Sequence, residues 1–408
     1  MTLPMTLPMT DVIIIGAGPG GATAGALLAQ QGVSVSLLDK DAFPRFHIGE
    51  SLLPCDLALF DRLGVDMKAL GFLYKGGAEF FDERTGEHSV YLFNEGLPGT
   101  PGYAYQVERA KFDQALLDSA VRAGATFEGG VRVSQIEPDD SGITVQTSKG
   151  PRRARFVIDA TGQDALIAHR EKSLRRIEDF GLAAVFRHFE QLSDQVWQEL
   201  AVTGQGNIRI LIVQDGWVWV IPLAGQRVSI GVVTRNRGVS NDLFEQTYAA
   251  SPMLQRLTDG CPKSDLRIIR NFSYRNLKTR GPRWACLGDA ALFLDPVFSS
   301  GVSLAMLGGE RFADVLVAAL RENREHDPDL SLPVSEHMGV AYTIFGSLVG
   351  AFYQTKIVEN VFFAKDPNPA IRQGFISTLA GDVWRTDNEF QKMLLSSKRR
   401  RFEPYAVE

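Results

Sequence analysis

DVIIIGAGPGGATAGALLAQQGVSVSLLDKD, residues 11–41, decides the fold. The stretch opens with a β-branched run, turns on glycines, continues as an Ala/Leu-rich helix and closes on a second strand ending at Asp39. In such a strand–turn–helix–strand unit the glycines have separate tasks. Gly16 permits the tight turn, Gly18 lets backbone approach a pyrophosphate, and Gly21 lets helix and strand pack closely. The helix start turns free N–H groups and the positive end of its dipole toward phosphate, and the Asp39 carboxylate is placed to accept hydrogen bonds from an adenosine ribose. The unit predicts an α/β chain that binds a dinucleotide.

The bulk of the sequence agrees with an ordinary globular protein. Its 408 residues, 45% hydrophobic and 22% charged, can build two or three packed units. A net charge of -5 without a basic, aromatic stripe excludes a nucleic-acid partner. Cys55, Cys261 and Cys286 are odd in number and far apart, so they form neither a disulfide framework nor a metal or redox motif, which fits a reducing cytoplasm. No cluster of metal ligands is present, and the six histidines are scattered. MTLPMTLPMT lacks the basic and apolar regions of a secretory signal, so residues 1–10 are expected to be a disordered leader. GVAYTIFGSLVGAF at 339–352 is too short to span a bilayer and reads as a buried helix.

Further segments narrow the dinucleotide. VIDATG at 157–162 is a strand ending in a small-residue turn, and WACLGDAALFLDP at 284–296 is a strand that delivers Gly288 and Asp289 to a helix start. YQVERAKFD at 105–113 carries Arg109, and FHIGESLLP at 46–54 reads as a loop and helix start containing His47, Ile48 and Gly49. In this order the segments resemble the flavoprotein monooxygenase superfamily, from residue 11 to about 325. That resemblance implies FAD as cofactor. It places Gly288 and Asp289 on the FAD ribose and pyrophosphate, Arg109 along the extended cofactor, and residues 47–49 near the isoalloxazine.

Three motifs are similar to one branch, the flavin-dependent halogenases acting on phenols and pyrroles. Within GWVWVIPL at 216–223, Trp217 and Trp219 fit the branch's WxWxIP pattern. Two apart on a strand, they share a face and are expected to form a flat indole wall between flavin and substrate. FLDPVFSSG at 293–301 fits FxxPxxSxG, which implies halide binding at Ser300 and Gly301; small residues there can offer backbone amides as an anion nest. GFLYKGGAEF at 71–80 places Lys75 where the resemblance implies a catalytic lysine, on a partly desolvated strand end. The implied reaction starts from FADH2 supplied by a separate flavin reductase. A flavin hydroperoxide oxidises chloride or bromide to hypohalous acid, and Lys75 hydrogen-bonds or captures it for an electron-rich ring.

Phe298 stands where tryptophan halogenases carry a glutamate before the halide turn. An apolar ring cannot take a proton or stabilise an arenium cation, so the expected substrate is a phenol or pyrrole. The expected architecture is a glutathione-reductase-type, Rossmann-like flavin domain made of residues 11–75, 105–181 and 267–330. Residues 76–104 and 182–266 make an interleaved β-sheet substrate layer, and 331–408 a C-terminal helical region whose Phe352 lines the pocket with Phe298. Lacking a long C-terminal extension, the active site is expected to be open, as suits a substrate borne on an acyl or peptidyl carrier protein; the basic run Lys398 to Arg401 could meet an acidic carrier. The alternative is an FAD- and NADPH-dependent aromatic hydroxylase of the same fold.

Overall fold

A computed structural model describes residues 8–214, 216–236, 239–396 and 401–404. The opening stretch forms the centre of an eight-stranded sheet. Strand Met9–Ile15 pairs in parallel with Arg152–Asp159 on one side and Val35–Leu38 on the other. Both of its faces are covered, and so its apolar residues run continuously instead of alternating. Trp284–Cys286 and Thr126–Glu128 extend the parallel core outward. Helix Pro19–Gln30, built almost wholly of Gly, Ala and Leu, is buried nearly all round because it packs between helices Arg109–Arg122 and Ser300–Arg321.

The first strand begins at Met9, whose partner is Arg153. Met9 and Thr10 therefore belong to the sheet and not to a leader; residues 1–7 of that expectation lie outside the described residues. The β-branched run at 12–15 signals the strand's second half, and the strand begins three residues before apolar character alone would suggest.

A second, seven-stranded sheet runs in the order Arg267–Arg270, Ala183–Phe189, Arg227–Thr234, Gly216–Leu223, Ile208–Val213, Gly77–Asp82, Glu87–Leu92. It gathers both segments of the expected substrate layer. It also takes Arg267–Arg270, which the expected boundary gave to the flavin domain: this strand pairs with Ala183–Phe189, and nothing in RIIR distinguishes one sheet from the other. Side-chain alternation splits the sheet's faces. Trp217, Trp219 and Ile221 join the main core, whereas Val218 and Val220 face a separate cluster with Ile230, Val232 and Phe244.

The C-terminal region contains helices Leu332–Gln354, Pro369–Leu379 and Glu389–Leu395, the first of which includes the apolar stretch 339–352. No described helix is long and apolar enough to cross a membrane. Lys398, Arg399 and Arg400 of the basic run lie outside the described residues, and Arg401 pairs with Glu403 at 3.3 Å.

Candidate functional site: an elongated cavity and a closed compartment

A cavity of about 720 Å³ runs between the two sheets. One end is lined by Gly16, Gly18, Gly21 and Asp39, the middle by His47, Ile48, Gly49, Arg109, Gly288 and Asp289, and the far end by Trp217, Trp219 and Gly301. The sequence-predicted cofactor residues thus converge on one space.

Local backbone requirements explain the glycine end. Gly16 has φ +102°, and a Cβ there would lie 2.2 Å from the Ala160 carbonyl oxygen; one on Gly21 would lie 2.0 Å from the Gly16 oxygen. A Cβ on Gly18 would meet only the Arg45 guanidinium, at 3.4 Å, so its free side belongs to whatever fills the cavity. Asp39 braces the turn by accepting the Ala17 N–H at 2.8 Å and the Asp41 N–H at 2.9 Å.

Arg109 is a buried clamp and not a surface charge. Its guanidinium donates to both oxygens of Asp113, at 2.8 and 2.9 Å, and to the Ile48 carbonyl, tying the loop around His47 to the start of helix Arg109–Arg122. Burial and the neighbouring Arg109 pull the His47 pKa down to about 4, so that ring is neutral near pH 7. Burial pushes the Asp289 carboxyl up to about 7. Asp289 lies inside the turn Gly288–Ala290, whose N-cap is Leu287, and so is not an N-cap residue.

The cavity also contains unsatisfied polarity. Glu50 Oε1 lies 2.7 Å from His188 Nε2, but Glu50 Oε2 and the Ser51 hydroxyl are buried without a partner, and both residues line the cavity. Buried polar atoms normally find partners, so this part of the cavity is shaped for a polar ligand. A glycine cradle at one end, unpaired polar atoms on Glu50 and Ser51 in the lining, and a volume suited to a large ligand all fit FAD.

The indole wall is present but it is not flat. Trp217 and Trp219 are 6.1 Å apart between ring centroids, with planes at 53°. Their shared face follows from strand period, while their tilt comes from different anchors. Trp219 donates to the Ser229 hydroxyl at 3.1 Å within its own sheet, and its ring fills the space over Gly231, where a Cβ would lie 2.1 Å from it. Trp217 donates to the Tyr353 hydroxyl at 2.9 Å, across to the C-terminal helix.

Ser299 has φ +56° and precedes helix Ser300–Arg321, whose first turn has no side-chain cap and so presents free N–H groups. Gly301 lines the large cavity; Ser300 does not. Ser300 and Gly301 together line a void of about 10 Å³ with Asp289, Asp295 and Tyr342, at the lower limit for one water. Gly301 therefore borders both spaces and Ser300 only the smaller one, on a helix start set by the left-handed Ser299.

Lys75 differs from expectation. It is 1% exposed, lies off the cavity, and donates from Nζ to the Leu52 carbonyl at 2.8 Å, 5.3 Å from the Phe93 ring centroid. Burial pulls its pKa down to about 7, against the opposing influence of Asp56. Asp56, itself raised to about 7 by burial, accepts from the Ser303 hydroxyl at 2.7 Å on the helix that begins at Ser300. Lys75 itself is thus fully and not partly desolvated, although Tyr74 beside it on the strand is exposed. The Cys55 N–H, which donates to the Ala380 carbonyl at 3.1 Å, ties this compartment to the C-terminal helices.

The expected open pocket is likewise closed. Phe298 and Phe352 pack edge to face at 6.0 Å, and Phe362 contacts both and also Phe80 and Phe375. Phe352 lies on helix Leu332–Gln354 and Phe298 before the halide turn, and sequence position does not show whether such rings border a space or fill it. Asp295 and Gly231 were not singled out from sequence; the Asp-Pro step in FLDPVFSSG was the signal available for the first.

Known proteins resemble this chain in sequence and in fold. A model of the FAD binding domain matches residues 9–328. A 1H-pyrrole-2-carbonyl–peptidyl-carrier-protein chlorinase of Pseudomonas fluorescens is 30% identical over 412 residues, covering 92% of this chain and 89% of the relative. The chain belongs to the flavin-dependent halogenases. A tryptophan 2-halogenase of Chondromyces crocatus is 31% identical over 323 residues, covering 74% of this chain and 60% of that longer protein. The solved structure of the flavin-dependent brominase Bmp2 superposes with a TM-score of 0.81 at 26% identity, covering 97% of this chain and 100% of that one. The halogenase is accordingly an FAD-dependent oxidoreductase that uses halide, and these relatives favour halogenation over the hydroxylase alternative.

Proposed function

We propose that the halogenase installs chlorine or bromine on an electron-rich aromatic ring, a phenol or pyrrole borne by a carrier protein, with Lys75 as the group that delivers the halogen. The observation that carries this reading is the separation of two compartments. A wholly buried amine, its pKa drawn down to about 7, lies off the cofactor cavity, and the tryptophan face closes that cavity's far end.

Bound FAD, once reduced by a separate flavin reductase, supplies with O2 the oxidising equivalents that convert halide to hypohalous acid. The chain does the rest. Gly18 and the helix start hold the pyrophosphate, and Arg109 fixes the loop beside the flavin. Ser300 and Gly301, at a helix N-terminus, hold the halide anion. Trp217 and Trp219 exclude the aromatic substrate from the cofactor while a small oxidant passes. At a pKa near 7 much of Lys75 is neutral at pH 7–8. The neutral amine takes halogen from hypohalous acid with release of water, and the ring carbon then takes the halogen from nitrogen and loses its own proton.

The packed phenylalanines remove the argument from an open site; the carrier-borne substrate rests instead on the Pseudomonas relative. The test supplies FAD, flavin reductase, NADH and bromide, with free phenols and pyrroles and their carrier-loaded forms. Brominated product from the wild type and none from Lys75→Ala, at equal FAD content, is the expected result. Wild-type yield from a folded Lys75→Ala enzyme overturns the role of the lysine.

A further inference from the structure

Trp217 and Trp219 are held differently, and the difference involves a residue outside both barrier and halide motif. The Tyr353 hydroxyl, near the end of helix Leu332–Gln354, accepts from the Trp217 indole N–H at 2.9 Å and donates to Asp295 Oδ2 at 2.9 Å. The same carboxylate oxygen accepts the Gly181 N–H at 2.8 Å, while Asp295 Oδ1 accepts the Val297 N–H at 3.0 Å and so shapes the turn Pro296–Phe298 that leads into Ser299 and Gly301. Trp217 and Asp295 are buried. The junction leaves no spare room: a Cβ on Gly181 would lie 2.6 Å from Asp295 Oδ2 and 3.0 Å from the Tyr353 oxygen. The Arg235 guanidinium covers the Tyr353 ring at 5.7 Å. One phenol therefore joins the barrier strand, the turn of the halide motif and the C-terminal helix.

We infer that Tyr353 is a positioning residue, whose hydroxyl fixes the tilt of Trp217 relative to the Asp295 turn and thereby the tightness of the barrier. This rests on the reading of the tryptophans as a barrier. A phenol with one donor and one acceptor direction in use defines the indole's orientation, because an N–H donor needs its acceptor near the ring plane. Without the hydroxyl, Trp217 keeps its apolar packing but loses its only directional contact to the C-terminal layer among the described residues. Asp295 loses one of its three donors at the same time.

The experiment compares Tyr353→Phe, Trp217→Phe and the double variant as FAD-loaded enzymes. FAD affinity, melting temperature and near-ultraviolet circular dichroism are measured first. Turnover with flavin reductase, NADH, bromide and a free phenol then gives the ratio of hydrogen peroxide to brominated product and the KM for bromide. Tyr353→Phe is expected to change the indole dichroism, leave FAD affinity as in the wild type, and raise both the peroxide ratio and the bromide KM several-fold. In the peroxide ratio the double variant should be no worse than Trp217→Phe alone, since both changes break the Trp217–Tyr353 hydrogen bond and only Tyr353→Phe also takes a donor from Asp295. If Trp217→Phe leaks peroxide while Tyr353→Phe matches the wild type, or if the two effects multiply, the inference fails and the barrier stands. If neither leaks although the dichroism changes, the barrier reading fails and takes the inference with it. Should Tyr353→Phe fold poorly, Trp217→Phe breaks the same bond from its other end, and a wild-type bromide KM in that variant overturns the coupling to the turn.

Discussion

The glycine end of the cavity and the compartment around Lys75 lie in the same core, yet they are built in opposite ways. At the first, backbone approaches ligand, the space is open, and one continuous stretch provides the turn, the helix start and Asp39. At the second, Lys75, the stretch Leu52 to Asp56, Ser303 and Phe93 come from four separate segments, and the space is filled. A site made by backbone must delete side chains and therefore leaves glycines in the sequence. A site made by converging side chains leaves no comparable local mark.

The largest expected effect tests the filled compartment. Lys75→Ala should reduce halogenated product by on the order of 10²-fold or more while FAD remains bound, because the cofactor cavity does not include Lys75. Lys75→Arg should also fail, since a guanidinium stays charged and has a different shape. Flavin absorbance of the purified variants and product by mass spectrometry decide both. The wild-type rate should fall as pH drops below about 7, where the amine takes up its proton. The stability consequence has the same direction: a lysine with its folded pKa below the unfolded 10.5 gives stability that rises with pH between about 7 and 10.5. Lys75→Met should flatten that rise in denaturant titrations.

The next effect contrasts two glycines of one motif. Gly18→Val should abolish FAD retention with little change in melting temperature, because its side chain would enter the cavity. Gly21→Ala should cost about 1–3 kcal/mol of stability through overpacking against the Gly16 carbonyl. Equal loss of FAD without loss of stability in both would erase the distinction between ligand-facing and packing glycines.

These contrasts also mark how much was legible beforehand. The parallel βαβ core and the shared face of Trp217 and Trp219 follow from local chemistry and strand period, and Arg109 on the cofactor cavity from the family resemblance. Whether Phe298 and Phe352 border or fill a pocket depends on Phe362 and Phe375, which arrive from elsewhere in the C-terminal region. The tilt of Trp217 depends on Tyr353, 136 residues away. Lys75 was legible as a residue, but its complete burial was not, because the cover comes from segments with no pattern of their own.

The smallest effect sharpens the comparison at the border between the two regions. Burial raises the Asp295 carboxyl to about 6 from its ordinary value of 3.8, although Val297, Gly181 and Tyr353 donate to it and oppose the rise. The folded protein then binds this proton more tightly than the unfolded chain. Its contribution to stability is fully present below pH 4 and is lost as pH rises through about 6. Asp295→Asn removes the proton but misplaces an amide N–H against existing donors, so it should lower stability by an offset at every pH. Only the slope tests the burial argument. The stability of wild type minus variant, from urea unfolding, should decrease between pH 4 and 6 by no more than about 3 kcal/mol, at about 1.4 kcal/mol for each pH unit between the unfolded and folded values. A flat difference would mean that the carboxylate is ionised and satisfied in the fold, and that the turn before Ser299 carries a full negative charge beside the residues proposed to hold an anion.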